Sequence, residues 1–187
     1  EDENTHYFGG TAYAPPMYHV RAFNDLLHSM AADPDLEIDI LRLVHGEHAM
    51  RFHRTVSHGD VVQVRGQLEK VDQKSSGRVF SFGLYGFVDG ELAYEGKTKF
   101  FIRGKSSASG AKKSPPKVVE QPPAPNLEVE QQVAMDQALR YADASGDHNP
   151  IHIDEATAQS AGLPGCILHG LCTMALAQRD VVNELAS

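Results

Sequence analysis

Apolar residues change their spacing more than once along the 187-residue chain. Met17, Val20, Phe23, Leu26, Leu27 and Met30 recur at intervals of three and four, the spacing of an amphipathic helix, which predicts a core helix over residues 15–32. Pro15 and Pro16 suit its entrance, where amide protons have no intrahelical acceptor, and Asp33-Pro34 ends it. The period then shortens to two. Glu37–Val44, His48–Val56, Val61–Val71, Arg78–Val88 and Glu91–Arg103 are predicted strands, with Phe80, Phe82 and Leu84 alternating along one face. Asp89-Gly90 predicts a tight hairpin, while Ser57-His58-Gly59-Asp60 and Lys74-Ser75-Ser76-Gly77 supply two further turns. Periodicity thus gives a helix packed on an antiparallel sheet, an α+β class.

Between residues 104 and 126 the pattern lapses. Five of the ten prolines fall there, behind a Gly, Ser and Lys cluster, so this stretch reads as a flexible or extended linker. Lys112, Lys113 and Lys117 read as its solvated charges before they read as a phosphate site. Alternation returns at Leu127–Ala134, a predicted edge strand, followed by a short helix over 136–144. Asp154 as N-cap and Gly162 as stop bound another short helix. His169-Gly170-Leu171 opens a closing helix whose apolar face is Leu171, Met174, Ala175, Val181, Val182 and Leu185.

Composition narrows the partners. A net charge of -8 argues against nucleic acid or an anionic membrane surface as the main partner. No apolar run reaches the roughly 20 residues of a membrane span, and Glu1-Asp2-Glu3-Asn4 is no signal peptide. With no initiating Met, the chain is expected to lack its true N-terminus. Cys166 and Cys172 form neither a CxxC pair nor a disulfide framework and read as reduced, packed thiols of an intracellular protein.

The chemistry concentrates between Tyr141 and Thr173. Asp147 and His152 lie five residues apart in Gly-Asp-His-Asn-Pro-Ile-His. Pro150 has no amide proton and biases Asn149 towards an extended backbone, so the loop is fixed and non-helical. A carboxylate and an imidazole facing one volume can hold a water and move its protons. Asn149 and Pro150 support the loop. Gly170 permits close backbone approach, and its amide at a helix start points at developing negative charge. Ser145 reads as a local cap. His148 and His152 have metal-ligand spacing only on a helix, which Pro150 opposes, so no metal is expected even with His169 added. His19, His28, His53 and His58 read as surface or scaffold.

GDHNPIHID at residues 146–154, followed by ILHGLCT at residues 167–173, resembles the (R)-specific enoyl-CoA hydratases of the MaoC-like hot-dog superfamily, above all the two-repeat hydratase 2 type of peroxisomal multifunctional enzymes. The likeness is tight over residues 127–187 and looser over 1–103, where His45-Gly46-Glu47 looks like the family's N-terminal repeat. It implies a hot-dog fold, an antiparallel sheet wrapped around a long central helix, in two repeats. Residues 1–103 would be the non-catalytic repeat that accommodates the acyl chain, 104–126 the linker, and 127–187 the start of the catalytic repeat.

The resemblance implies reversible hydration of trans-2-enoyl-CoA to (3R)-hydroxyacyl-CoA in fatty-acid metabolism. Asp147 and His152 would activate water, and the Gly170 amide would hold the thioester oxygen. The CoA thioester is substrate, and no cofactor is expected. The second repeat breaks off after its central helix, short by ~70 to 100 residues on the scale of a small domain. The missing strands are therefore expected from a longer chain or a partner chain, and the family implies a homodimer. Cytoplasm is the default compartment, with a peroxisomal address in a eukaryote. Two other classes compete: a hot-dog acyl-CoA thioesterase, and a non-catalytic subunit that binds acyl thioesters or serves assembly.

Overall fold

A computed structural model describes residues 13–104 and 124–186. Most of the predicted linker, with Lys112, Lys113 and Lys117, lies outside the described residues, as does the side chain of Leu185. Helix α1, Tyr18–Ala31, starts after the proline pair with the Tyr18 amide donating to the Pro15 carbonyl. It buries His19 and Phe23. Strands β1 (Leu43–Phe52), β2 (Val62–Lys74), β3 (Gly77–Val88) and β4 (Glu91–Arg103) follow. They form one antiparallel sheet in the order β1-β4-β3-β2. Asp89 and Gly90 both take positive φ, 52° and 82°, the geometry that matches a two-residue hairpin to the strand twist.

Helix α1 seats on β2 at Gly66. A Cβ there would stand 2.7 Å from Met30 Sδ and 3.0 Å from Leu26 Cδ2, so the missing side chain is what lets helix and strand meet. The core lies between them in two clusters. Phe23, Leu84, Val88, Ala93 and Tyr94 form one, and Phe80, Phe82 and Ile102 the other. The predicted alternation of Phe80, Phe82 and Leu84 is an inward row of buried side chains.

The sheet departs from expectation at its first strand. Glu37–Val44 is no strand: 3₁₀ turns at Pro34–Leu36 and Ile40–Arg42 occupy this region. The Asp33 carboxylate accepts from the Asp35 amide and that of Asp39 from the Leu41 amide, and Glu37 takes a left-handed φ of 48°. Such local bonds compete directly with a ladder. The second predicted strand, His48–Val56, instead begins earlier and merges with the end of the first into β1.

Beyond the linker come α2 (Gln137–Ser145), α3 (Glu155–Ser160) and α4 (Gly170–Ala186). The predicted edge strand Leu127–Ala134 pairs with no described strand. Leu127, Val129 and Val133 stay exposed, because alternation makes a strand only beside a ladder that can take its hydrogen bonds. On α4 Cys172 is buried, while Val181 is exposed despite its place on the predicted apolar face. No helix among the described residues is long and apolar enough to cross a membrane.

Candidate functional site

The loop between α2 and α3 is built almost wholly from its own side chains. Gly146 caps α2 at φ 79°, with its amide donating to the Ala142 carbonyl. Ser145 Oγ donates to Tyr141 O at 2.8 Å and accepts from the Asp147 amide at 3.1 Å, a local cap. Asp147 Oδ1 accepts from the Asn149 amide at 3.2 Å, and Asn149 Oδ1 from the Ile151 amide at 3.3 Å. Pro150 opens a single 3₁₀ turn, Pro150–His152, and Asp154 caps α3 through the Thr157 amide at 2.7 Å. The N-terminal half holds this loop too: Asn24 Nδ2 of α1 donates to the Gly146 carbonyl at 2.9 Å.

Two imidazoles complete the arrangement. His152 Nδ1 donates to the Ile167 carbonyl at 2.7 Å, which leaves the lone pair of its neutral ring on Nε2. His169 Nε2 donates to the Asp147 carbonyl at 2.9 Å, which leaves a lone pair on Nδ1. That Nδ1 is buried and has no hydrogen-bond partner among the described residues. The two rings stack 3.8 Å apart at 28°, and the Tyr141 ring packs tilted against His169, ring centroids 4.9 Å apart. Burial pulls His169 below the ordinary histidine range, and it pushes the Tyr141 hydroxyl well above the tyrosine range, helped by Cys172 and Asp147.

One carboxylate oxygen of Asp147 and one ring nitrogen from each of His152 and His169 lie within 4.8 Å of one another. Three such donors invite comparison with a metal site. Nearly parallel rings, however, send their lone pairs along nearly parallel planes, whereas a tetrahedral ion needs them to converge. A water with two acceptors beside it suits the geometry better. His148, the other histidine of the loop, is exposed and outside this group.

These residues line a cavity of about 220 Å³ whose walls come from both halves of the chain. Asp147, Asn149, His152, His169 and Gly170 form one side; α1 contributes Phe23 and Leu27, and the sheet Phe82, Phe100, His45 and His48. Pro150 does not reach it. Gly170 stands in the first turn of α4, where helix geometry gives its amide no intrahelical acceptor. A Cβ on Gly170 would lie 3.9 Å from both Cβ and O of His45, so Gly170 sits against β1. Proton transfer to or from water, beside an amide able to hold an oxyanion, is what this arrangement can perform. Cys172 is a packed thiol that burial keeps above the ordinary range. Cys166, expected to be packed as well, is exposed, and desolvation with the neighbouring Glu155 carboxylate raises its thiol too, so neither is an activated nucleophile.

Sequence reasoning gave no role to four histidines of this cavity, His28, His45, His48 and His169. His169 stood in view as the residue before Gly170 but received no role, and His45 and His48 were passed over in His45-Gly46-Glu47-His48. His19, read as surface or scaffold, is buried scaffold: its Nδ1 donates to the Pro16 carbonyl and its Nε2 meets His48 Nε2 at 2.9 Å. His28, His53 and His58 are exposed.

Burial, with His19 and His45 beside it, pushes His48 down to about 3, and burial lowers His19 and His45 as well. In the unfolded chain such rings titrate near about 6.5. Unfolded chain therefore binds protons that the folded chain refuses, and stability is full above that value and falls as pH drops from it towards about 3. Urea midpoints at pH 7 and pH 5 check this. The midpoint is expected to be lower at pH 5, and His48→Phe should narrow the gap.

Comparison with known proteins meets this geometry from outside. Residues 117–187 match the MaoC like domain, and residues 7–94 the FAS1-like dehydratase domain region. The chain is 32% identical over 181 residues to peroxisomal multifunctional enzyme type 2 of Drosophila melanogaster, covering 94% of this chain and 30% of that one. It is 34% identical over 149 residues to 3-hydroxyacyl-thioester dehydratase Y of Mycobacterium tuberculosis, covering 76% and 51%. The chain thus spans about half of the length of one of these relatives and less than a third of the other. Among solved structures, HtdX of Mycobacterium tuberculosis superposes with a TM-score of 0.71 at 23% identity, over 91% of this chain and 64% of that one. The full-length Drosophila enzyme superposes at 0.67 with 29% identity, over 92% and 30%.

Proposed function

We propose that this chain, whose residues 117–187 match the MaoC like domain and whose fold is that of the MaoC-like hot-dog dehydratases, hydrates trans-2-enoyl-CoA reversibly to (3R)-hydroxyacyl-CoA in fatty-acid metabolism. The observation that carries this is the gathering of Asp147, His152 and His169 within 4.8 Å, on the wall of a cavity that also holds the Gly170 amide. Relatives named enoyl-CoA hydratase 2 in Dictyostelium discoideum (as probable) and Arabidopsis thaliana, and 3-hydroxyacyl-thioester dehydratase in Mycobacterium tuberculosis, support the same substrate class.

In this mechanism Asp147 and His152 hold the water between them. As its oxygen bonds to C3, the water gives up a proton to Asp147. The C2–C3 double-bond electrons pass into the thioester as an enolate, whose oxygen the Gly170 amide holds. The enolate then collapses, and its electrons take a proton from the dyad into a new C2–H bond. His152 is set for this by Ile167, which fixes the proton on Nδ1 and turns the lone pair of Nε2 free of the backbone. Asn149 sets the direction of the Asp147 carboxylate through its amide.

The test is hydration of crotonyl-CoA and of a longer trans-2-enoyl-CoA with chiral analysis of the product. (3R) product is expected. Release of free thiol from acyl-CoA in its place would make the protein a thioesterase, and tight acyl-CoA binding without turnover would make it a binding subunit.

His169 is a positioning residue here. His169→Phe keeps a ring against His152 and removes the N–H that holds the Asp147 carbonyl. Stability should fall by about 1 kcal/mol and kcat roughly tenfold, with KM little changed. A fall in KM-dependent binding alone would place His169 against substrate instead of behind the loop.

A further inference from the structure

Strand β1 carries an irregularity that the proposed chemistry leaves unused. Its pairing with β4 runs His45 to Phe100 and then Glu47 to Lys99, so Gly46 is an extra residue, a β-bulge. In a regular strand, residues three apart face opposite sides. The bulge cancels one step. His45 stands opposite Phe100 and His48 opposite Thr98, positions two apart on β4 and therefore on one face. Both imidazoles accordingly line the reaction cavity, their rings 5.5 Å apart and nearly perpendicular.

Hydrogen bonds fix which nitrogen of His48 carries the proton. His19 donates from Nδ1 to the Pro16 carbonyl, so its Nε2 is an acceptor, and the partner facing it at 2.9 Å, His48 Nε2, must donate. The lone pair of His48 is thereby placed on Nδ1. That atom is buried and has no partner among the described residues. His45 is differently satisfied, its Nε2 paired with Thr98 Oγ1, which itself donates to the Glu47 carbonyl. Burial keeps the whole group neutral near pH 7. An acceptor that cannot take up a proton is left to pair with a neutral donor.

We infer that His48 is a ligand-binding residue, turned into the cavity by the Gly46 bulge, whose Nδ1 accepts a hydrogen bond from the 3-hydroxyl of a 3-hydroxyacyl thioester. The assignment rests on the acyl-thioester function proposed above and adds to it the half of the chain from which no catalytic part was expected. Of the two thioesters that hydration interconverts, only the hydroxylated one carries a donor on its acyl chain. The wall of Phe23, Leu27, Phe82 and Phe100 carries no acceptor, and further acceptors of the cavity stand on its opposite chain segment, at Asp147, His152 and His169. His48 therefore separates the two by binding, without taking part in proton transfer.

The experiment uses the full chain with Asp147→Asn to stop turnover, and calorimetric titration with 3-hydroxybutyryl-CoA and butyryl-CoA, with and without His48→Phe. Loss of one neutral hydrogen bond should weaken 3-hydroxybutyryl-CoA roughly 3- to 10-fold and leave butyryl-CoA unchanged. Equal weakening of both, or of neither, overturns the inference. Should His48→Phe not fold, ¹⁵N spectra of His48 in the unsubstituted ring decide instead. Nδ1 should begin at the shift of an unprotonated nitrogen and move upfield with 3-hydroxybutyryl-CoA only; no movement, or the same movement with butyryl-CoA, overturns it. If the Asp147→Asn chain binds neither thioester, the acyl-thioester function itself fails, and the role of His48 falls with it.

Discussion

Asp147→Asn is expected to lower kcat for hydration of trans-2-enoyl-CoA by about 10²- to 10⁴-fold, the range for loss of a positioned general base. The change is nearly isosteric. An Asn side-chain oxygen can still accept from the Asn149 amide, as Asp147 Oδ1 does at 3.2 Å, so the loop keeps its shape. What disappears is the ability to take a proton from water. KM should stay within about threefold, because ground-state contacts are untouched. Steady-state kinetics beside a circular dichroism spectrum separates loss of chemistry from loss of fold. Retention of more than a tenth of the parent rate would move the base to His152. It would also leave Asp147 as a loop-forming residue held by Ser145, Asn149 and His169.

Phe23→Ala should carry the largest stability cost of any single truncation in α1. Phe23 is 1% exposed, packs with Leu84, Val88, Ala93 and Tyr94, and meets the Tyr94 ring edge-to-face at 5.7 Å. Removing a buried phenyl costs about 3–5 kcal/mol through lost transfer energy and the cavity left behind. For a chain of this size that lowers Tm by roughly 6–20 °C. Thermal and urea unfolding measure it directly. Because Phe23 also lines the reaction cavity, KM for longer acyl chains should change in the same variant. A loss below about 1 kcal/mol would mean that α1 is not seated on the sheet as described.

The sequence made the helix of Met17 to Met30 and the long hairpins legible, because burial on one face leaves its period in the side chains. It failed where short polar side chains outcompete that period. Asp33 and Asp39 bind nearby amides and turn the chain from Glu37 to Arg42 away from the sheet, and neither bond leaves an apolar signature. Leu127–Ala134 failed in the opposite sense, since alternation is a property of one chain while a strand is a property of two.

At the site, Asp147, Asn149 and His152 could be read because their spacing and Pro150 act within one loop. His45 and His48 could not. Their common direction comes from an unpaired Gly46, visible only in the register with β4. His169 lay between these cases: adjacent to a recognised glycine, but acting through a carbonyl 22 positions earlier in the chain.

The long reach of these contacts also sets an order of events. Asn24 holds the Gly146 carbonyl, and Gly170 rests against His45, so both ends of the described chain meet at the cavity. During synthesis the early sheet and helix can form while the later helices are still being made, since domains and their parts condense as they emerge. The pocket closes only when α4 arrives and its first turn docks on β1. A nascent or prematurely ended chain lacking Gly170 can therefore hold its apolar core and still have no amide at that place in the cavity, so the proposed hydration is expected only once synthesis has passed that point.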